Sequence, residues 1–347
     1  MTTITEFLKN MELSRLLSLA RVAALRETGI DDPKILAASL VQQEYLTYWQ
    51  AKELLSGRKN FFLGGYRLLE KLGEGRIGSV YKAERITSGH VVAVKFLRSH
   101  MADKPEAVAR FLREIRVTAA LSHPHVVVTH DAEVIDSGQI FVMEYVEGKE
   151  LKDWIAEHDG LPIPWSCECA RQVALGLQHI HENGLVHRDL EPGNLMVIGD
   201  SLQEPPWVKI MDLGLVRMLA ADEDSITMEG QMLGNIDYVS PEQAENAQKT
   251  DIRSDIFSLG CVLYETLAGR QPYSGNSIFQ KIAARDESPP LVGSLRPGIP
   301  AELDAVVNAM LQPDREARIQ TPRQVADALT PFAMPLDETD ADLIPLE

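Results

Sequence analysis

The chain has 347 residues, of which 45% are hydrophobic and 24% charged, enough for one large globular domain with a small appendage. Its formal net charge of −17 argues against nonspecific binding to nucleic acid or to an anionic membrane face. No stretch approaches the roughly 18 apolar residues of a membrane span, and the N-terminus lacks a signal-peptide pattern, so we expect a cytoplasmic protein with no membrane span.

The first segment, residues 1–60, has a helical pattern. Apolar residues recur at helical spacing at Leu13, Leu16, Leu17, Ala20 and Ala24. Pro33 stands where a fresh helix would begin, and the stretch "YLTYWQAKELLSG" ends at Gly57. The pattern predicts a small module of about three helices, with a residual face that could dock on the rest of the chain or on another protein.

From Tyr66 onward the period changes to that of strands, followed by helices. The strands occupy residues 66–97 and stretches near 126–130 and 140–146, with an amphipathic helix at about 105–121 between them. Beyond residue 150 we expect helices at about 164–183, 252–268, 277–284 and 301–312. This order indicates an α+β protein, followed by an acidic, disordered tail at 333–347.

Three cysteines, Cys167, Cys169 and Cys261, have no Cys or His partners at metal-ligand spacing. An odd count gives no disulfide framework either. We therefore expect buried thiols in a reducing compartment.

A glycine-rich stretch with the pattern G-x-G-x-x-G-x-V is formed by Gly73, Gly75, Gly78 and Val80. Such glycines let backbone N–H groups approach phosphates closely. A dinucleotide-binding fold would continue into a helix, whereas "SVYKAERI" has a strand pattern. A phosphate-binding hairpin and a plain glycine-rich hairpin both remain open from this motif alone.

A lysine, Lys95, ends the apolar strand that follows, and Glu114 lies nineteen residues further on in the amphipathic helix. A solvated strand end would explain the lysine in isolation. An ion pair between the two would instead hold the ammonium group against nucleotide phosphates.

Three further motifs follow in order: His187-Arg188-Asp189 with Asn194, then Asp212-Leu213-Gly214, then Ser240-Pro241-Glu242. With these, the chain from about Tyr66 to Phe332 resembles a bacterial eukaryotic-like (Hanks-type) serine/threonine protein kinase. The resemblance implies a two-lobed protein-kinase fold, with a β-rich N-lobe at 66–145 and a helical C-lobe at 147–332. It also implies ATP, Mg²⁺ and protein substrates.

The same resemblance implies roles for individual residues. Asp189 would accept the proton of the substrate hydroxyl, Lys95 would pair with Glu114, and Asn194 and Asp212 would hold Mg²⁺. The nucleotide-binding positions would be Leu72, Gly73, Gly75, Gly78, Val80, Ala93, Lys95, Glu144, Val146 and Met196, with Met143 as gatekeeper.

Other matched positions would be supports and switches. Asp255 would brace the catalytic loop, and Glu242 would pair with Arg318. Arg188 would meet a phosphate carried by Thr227 or Ser225 in the activation segment. A flexible acidic loop without phosphate remains the alternative there.

Two positions depart from the family pattern. Glu191 stands where a lysine is usual, and Asn235 stands where a threonine is usual. Glu191 could turn outward with activity retained and with Asn235 bonding Asp189, could leave a nucleotide-binding pseudokinase or scaffold, or could pair with a basic residue of a substrate. Because the other motif residues are present, we expect a serine/threonine kinase acting on proteins, itself included, with a non-enzymatic adaptor as the alternative class.

Overall fold

The computed structural model of the chain describes residues 2–74, 78–97, 118–135, 138–213, 235–246 and 249–335. Two compact units divide the chain. The first unit comprises Met1–Leu112 and Thr129–Tyr145, and the second comprises Arg113–Val128 and Val146–Glu347.

The N-terminal segment forms four short helices, so the prediction of about three was wrong. They are α1 (Ile4–Ser14), α2 (Leu19–Arg26), α3 (Pro33–Gln42) and α4 (Tyr48–Leu55). The apolar spacing runs on across the first break, but hydrogen bonds of small side chains interrupt the helix there. Arg15 adopts a left-handed φ of 57°, and the side chain of Ser18 accepts from Arg21 N–H to begin α2.

These four helices share a core of their own, which we call the module core. Its most deeply buried members are Phe7, Met11, Val22, Leu36, Leu40, Leu54 and Phe61. Phe61 lies after α4, next to the first strand, so this core continues to the beginning of the sheet. As the sequence predicts, Asp32 caps α3 and Pro33 occupies its first turn.

The sheet of the first unit has six strands among the described residues, and every pairing is antiparallel. They are β1 (Phe62–Leu63), β2 (Tyr66–Glu74), β3 (Gly78–Arg85), β4 (Val91–Leu97), β5 (Thr129–Ile135) and β6 (Gly138–Glu144), in the order β1-β2-β3-β4-β6-β5. The strand predicted near 126–130 begins later, at Thr129, because Val126 instead forms an isolated parallel bridge with Ile210. Of the helix expected at 105–121, residues 105–117 lie outside the described residues.

The second unit is mainly helical. Its helices are α5 (Leu151–Glu157), α6 (Ile163–Glu182), α7 (Pro241–Glu245), α8 (Ile252–Ala268), α9 (Ile278–Ala283), α10 (Val292–Leu295), α11 (Ala301–Met310) and α12 (Pro322–Leu329). A three-stranded sheet, β7 (Lys149–Glu150), β8 (Leu195–Ile198) and β9 (Trp207–Ile210), has the order β7-β8-β9. The four helices predicted beyond residue 150 are confirmed to within about two residues at each end. Of the tail predicted as disordered at 333–347, the first residues are ordered instead: Ala333 and Met334 pack against the helical core, and Met334 N–H donates to the carbonyl of Pro164 at 3.0 Å. Residues 336–347 lie outside the described residues.

All three cysteines are buried and free, as the sequence predicts. Burial raises the pKa of the Cys167 thiol to about 12. In the parts of the chain that the structure describes, no three or more His, Cys, Asp or Glu side chains are arranged to hold a metal ion. Within the same ranges, no helix is both long and apolar enough to span a bilayer.

A histidine pair in the second unit makes its stability depend on pH. His125 N–H donates to His123 Nδ1 at 3.1 Å, and His125 Nδ1 donates to the carbonyl of Val208 at 2.9 Å. Burial lowers the pKa of each histidine to about 4. Both rings are therefore uncharged in the folded protein at pH values at which the unfolded chain protonates them.

We expect the free energy of unfolding to be greatest above pH 6.5 and to fall as the pH decreases towards 4. His123→Asn keeps a side-chain acceptor for the N–H two residues ahead but does not titrate. Because His123 is half-buried, the free energy of unfolding of this variant should fall by about 1–2 kcal/mol less than that of the wild type as the pH decreases from 6.5 towards 4. Urea unfolding at several pH values measures this, with the exposed His181→Asn as control. If the free energy of unfolding of wild type and of His123→Asn changed equally with pH, His123 would not contribute to the pH dependence.

Candidate active site

The glycine-rich hairpin joins β2 and β3 of the first unit. Gly73 lies opposite Val80 in register, and a Cβ built on Gly73 would meet no atom of the described residues within 4 Å. Packing against the described residues therefore does not require glycine at this position. At Gly78, by contrast, a Cβ would lie 1.9 Å from the carbonyl oxygen of Phe96, so the pairing of β3 with β4 requires glycine there. Gly75 lies outside the described residues.

The next strands place the other expected nucleotide-binding residues of this unit side by side. Lys95 of β4 lies opposite Val80 on one side and Phe141 on the other, and Ala93 lies opposite Met143. Glu144 ends β6, and Leu72 is exposed at an irregularity of β2. Glu114, the expected partner of Lys95, lies outside the described residues.

In the second unit, Asp255 of α8 holds the backbone of the loop that begins at His187. Its two carboxylate oxygens accept from the N–H groups of His187 at 2.7 Å and of Arg188 at 2.8 Å. Asp255 is 1% exposed, and burial raises its pKa although the charges and N–H groups of the loop oppose that shift. His187, also buried, donates from Nε2 to the carbonyl of Met211 at 2.9 Å and so links the loop to the residue before Asp212.

Two residues of this region have a backbone conformation that is costly for side chains other than glycine. Arg188 has φ of 66° and Asp212 has φ of 53°. Arg188 is held by Asp255 through its N–H and by Gln243 Nε2, which donates to its carbonyl at 2.7 Å. Gln243 was not among the predicted site residues, and only its place directly after Ser240-Pro241-Glu242 could have pointed to it.

Asp189 and Asn194 are fixed to each other within the loop. Asn194 Nδ2 donates to the carbonyl of Asp189 at 2.7 Å. The acceptor of this side chain is its amide oxygen, Oδ1. Asp189 N–H donates to His187 Nδ1 at 3.3 Å. An amide oxygen together with the Asp212 carboxylate is a donor set that suits Mg²⁺, which is commonly held by one or two protein oxygens together with phosphates.

The unusual Glu191 precedes the turn Pro192–Asn194. A methyl group built on Gly193 would lie 3.4 Å from Glu191 Oε1, 3.6 Å from Lys152 Cδ and 3.9 Å from Glu150 Oε2, so all three side chains lie near Gly193. Lys152 is ion-paired with Glu150. The hydrogen bond to Glu150 is the main cause that raises the pKa of Lys152, and the charge of Glu191 adds to it.

Asn235, the second unusual residue, caps the turn Ile236–Tyr238. Its side-chain oxygen accepts from Asp237 N–H at 3.3 Å. The activation-segment positions Ser225 and Thr227 lie outside the described residues.

Glu242 and Arg318 form a two-pronged ion pair, both bonds being 2.7 Å long. The side chain of Arg318 is fully buried and that of Glu242 is 11% exposed. Burial alone would raise the pKa of Glu242, but hydrogen bonds from Arg318 and Ser254 outweigh it and lower the pKa. Met196, half-buried on β8, and Val146 belong to this unit as well.

This fold, a β-sheet unit and a helical unit with a braced H-R-D loop, is that of a protein kinase. Residues 66–329 match the family model described as protein kinase domain. The chain therefore belongs to the protein kinase family, whose members use ATP and a divalent metal.

Curated relatives include serine/threonine-protein kinase PknB of Mycobacterium leprae, 36% identical over 288 residues, which span 80% of this chain and 45% of that protein. PknB of Mycobacterium tuberculosis is 36% identical over 261 residues, or 74% of this chain and 41% of that protein. The chain thus spans less than half the length of these relatives.

Solved structures agree with the fold. The kinase domain of Mycobacterium tuberculosis PknI has a TM-score of 0.61 at 26% identity, covering 78% of this chain and 98% of that chain. Rad53 in complex with AMP-PNP has a TM-score of 0.61 at 27% identity, covering 78% of this chain and 66% of that chain.

Proposed function

We propose that this protein transfers the γ-phosphoryl group of ATP to serine or threonine hydroxyl groups of proteins, itself included. The observation that carries the proposal is the catalytic loop. Buried Asp255 holds the backbone of His187 and Arg188, and Asn194 holds the carbonyl of Asp189. A loop that serves only as a connection has no need of a strained Arg188 braced from two sides.

In the reaction, the carboxylate of Asp189 accepts the proton of the substrate hydroxyl while that oxygen forms a bond to the γ-phosphorus. The bond from the γ-phosphorus to the ADP oxygen breaks as the new bond forms. Lys95 binds the α- and β-phosphates, and Val80, Ala93 and Met196 contact adenine. Asn194 and Asp212 would hold Mg²⁺, which neutralises charge on the phosphates when bound.

A nucleotide-binding pseudokinase is less favoured, because the relatives with 36% identity are named serine/threonine-protein kinases. Control by a phosphate on Thr227 or Ser225 that pairs with Arg188, and a cytoplasmic location, are further parts of the proposal.

The test is transfer of labelled phosphate from γ-labelled ATP with Mg²⁺, onto the protein itself and onto a generic basic protein. Wild type should label both on serine or threonine. Asp212→Asn and Asp189→Asn should label neither, because the first loses a metal ligand and the second loses the base.

Thermal unfolding of each variant with and without ATP and Mg²⁺ is the control for folding. Asp189→Asn should keep the nucleotide-dependent rise in melting temperature. A wild type that shows this rise but transfers no label would instead support the pseudokinase.

A further inference from the structure

The glycine-rich hairpin begins with a strand whose outer edge is only partly paired. β1 pairs with β2 at Tyr66 and Arg67, Leu68 N–H donates to the carbonyl of Phe61 at 2.8 Å, and past Leu68 no described strand lies on that side. β2 also carries an extra residue, since Leu68 and Glu70 face consecutive residues of β3 and Leu69 lies between them as a β-bulge. A bulge leaves backbone groups outside the ladder, and such groups need other partners.

Helix α4 of the N-terminal module supplies those partners. Gln50 Nε2 donates to the carbonyl of Leu68 at 2.7 Å, and Thr47 Oγ1 donates to the carbonyl of Leu69 at 2.6 Å. Gln50 is 3% exposed. The same two side chains form the capping box of α4, with Gln50 Oε1 accepting from Thr47 N–H and Thr47 Oγ1 accepting from Gln50 N–H. Formation of the α4 N-terminus and fixation of the bulge therefore depend on each other.

An aromatic cluster attaches the module to the second strand of the hairpin as well. The ring of Trp49 lies 5.8 Å from that of Tyr81 in β3 and 5.7 Å from that of Phe61. The guanidinium of Arg58 lies over all three rings, at 4.9 to 5.6 Å from their centres. Since neighbouring strand residues point to opposite faces, this contact lies on the face opposite to Val80.

From these contacts we infer that Thr47 and Gln50 are positioning residues for nucleotide binding. The N-terminal module thereby supports the sheet that binds the nucleotide. Thr47 and Gln50 act through β2: by holding the carbonyls of Leu68 and Leu69 they set the path of the strand that carries Gly73. The inference rests on the proposed nucleotide site, but not on phosphoryl transfer. Neither side chain needs to touch the nucleotide.

The test compares two buried amides of the module, each changed to the acid of the same shape. Gln50→Glu keeps the acceptor of the capping box, and as a carboxylate it cannot donate to Leu68. Asn10→Asp is the matched control, because Asn10 is 8% exposed and donates to the carbonyl of Leu54, within the module and away from the sheet. In the full chain, calorimetric titration with AMP-PNP and Mg²⁺ gives Kd, and thermal unfolding without nucleotide gives stability.

Gln50→Glu should raise Kd at least about fivefold, because nucleotide binding would then have to order the path of β2 that Gln50 holds in the free protein; a cost of about 1 kcal/mol corresponds to that factor. Asn10→Asp should lower the melting temperature and leave Kd within about twofold, because a structural defect alone reduces only the competent fraction. Thr47→Ser, which keeps the hydroxyl, should bind like the wild type, whereas Thr47→Val should bind like Gln50→Glu.

Equal Kd values for Gln50→Glu and wild type, or equal increases in Gln50→Glu and Asn10→Asp, would overturn the inference and leave the proposed function standing. Wild type that binds AMP-PNP but transfers no phosphate would overturn the proposed function alone, since Kd still tests the positioning role. Wild type that binds no nucleotide would overturn both.

Discussion

Glu191→Lys should raise kcat for phosphate transfer about 100-fold and leave KM for ATP nearly unchanged. The change replaces a negative charge by a positive one next to the transferring phosphoryl group. A unit charge at about 4 Å and an effective dielectric constant near 20 contributes about 4 kcal/mol before screening. A net gain of about 2.7 kcal/mol after screening corresponds to a factor of about 100. The effect falls on kcat because it acts on charge that is in transfer.

Residue 191 has charged neighbours near Gly193. The charge of Lys152 attracts the carboxylate of Glu191. A lysine at position 191 would be repelled by Lys152 and attracted by the carboxylate of Glu150, which lies near the same point. The substitution therefore reverses the sign of both interactions.

Glu191→Gln separates the two parts of the effect, since it removes the negative charge without adding a positive one. Its kcat should lie between those of wild type and Glu191→Lys. Initial rates over a range of ATP concentrations give kcat and KM for the three proteins. Unchanged or lower kcat in Glu191→Lys would show that the carboxylate is used, for example to bind a basic residue of the substrate.

The sequence predicted the elements that depend on local periodicity. Helix α8 lies at the bounds predicted for it, and the structure shows it capped by Asp251 and ended by Gly269, both local signals. The site motifs were equally accessible, because Asp189, Asn194 and Asp212 stand at fixed spacings within short stretches. Their roles remain predictions that activity measurements must test.

Contacts between distant segments could not be predicted from local sequence patterns. Gln50, Thr47 and Phe61 were placed in or next to a helical module, yet they bind or continue into the sheet, with partners up to 22 residues away. The break between α1 and α2 was missed because the apolar spacing crosses it while small polar side chains decide the backbone. A hydrogen bond between distant segments leaves no periodic pattern in a single sequence.

Arg318→Ala should lower the free energy of unfolding by about 3–5 kcal/mol, because it leaves the largely buried carboxylate of Glu242 without its cation. The guanidinium also donates to the carbonyls of Gln312, Pro313 and Arg253, which would lose those bonds. Urea unfolding followed by circular dichroism measures the change. Arg318→Lys keeps the charge but not the two-pronged geometry, so its free energy of unfolding should fall less than that of Arg318→Ala.

The exposed pair Arg323–Asp327 provides the control, with side chains 65% and 64% exposed. Arg323→Ala should cost less than about 1 kcal/mol. The pH dependence gives a second check. The lowered pKa of Glu242 stabilises the fold above its ordinary value of 4.5, and that contribution is lost as the pH falls through the folded value. Arg318→Ala should therefore lose less stability than wild type on acidification, and a destabilisation equal to that of Arg323→Ala would mean that the buried pair contributes no more than a surface pair.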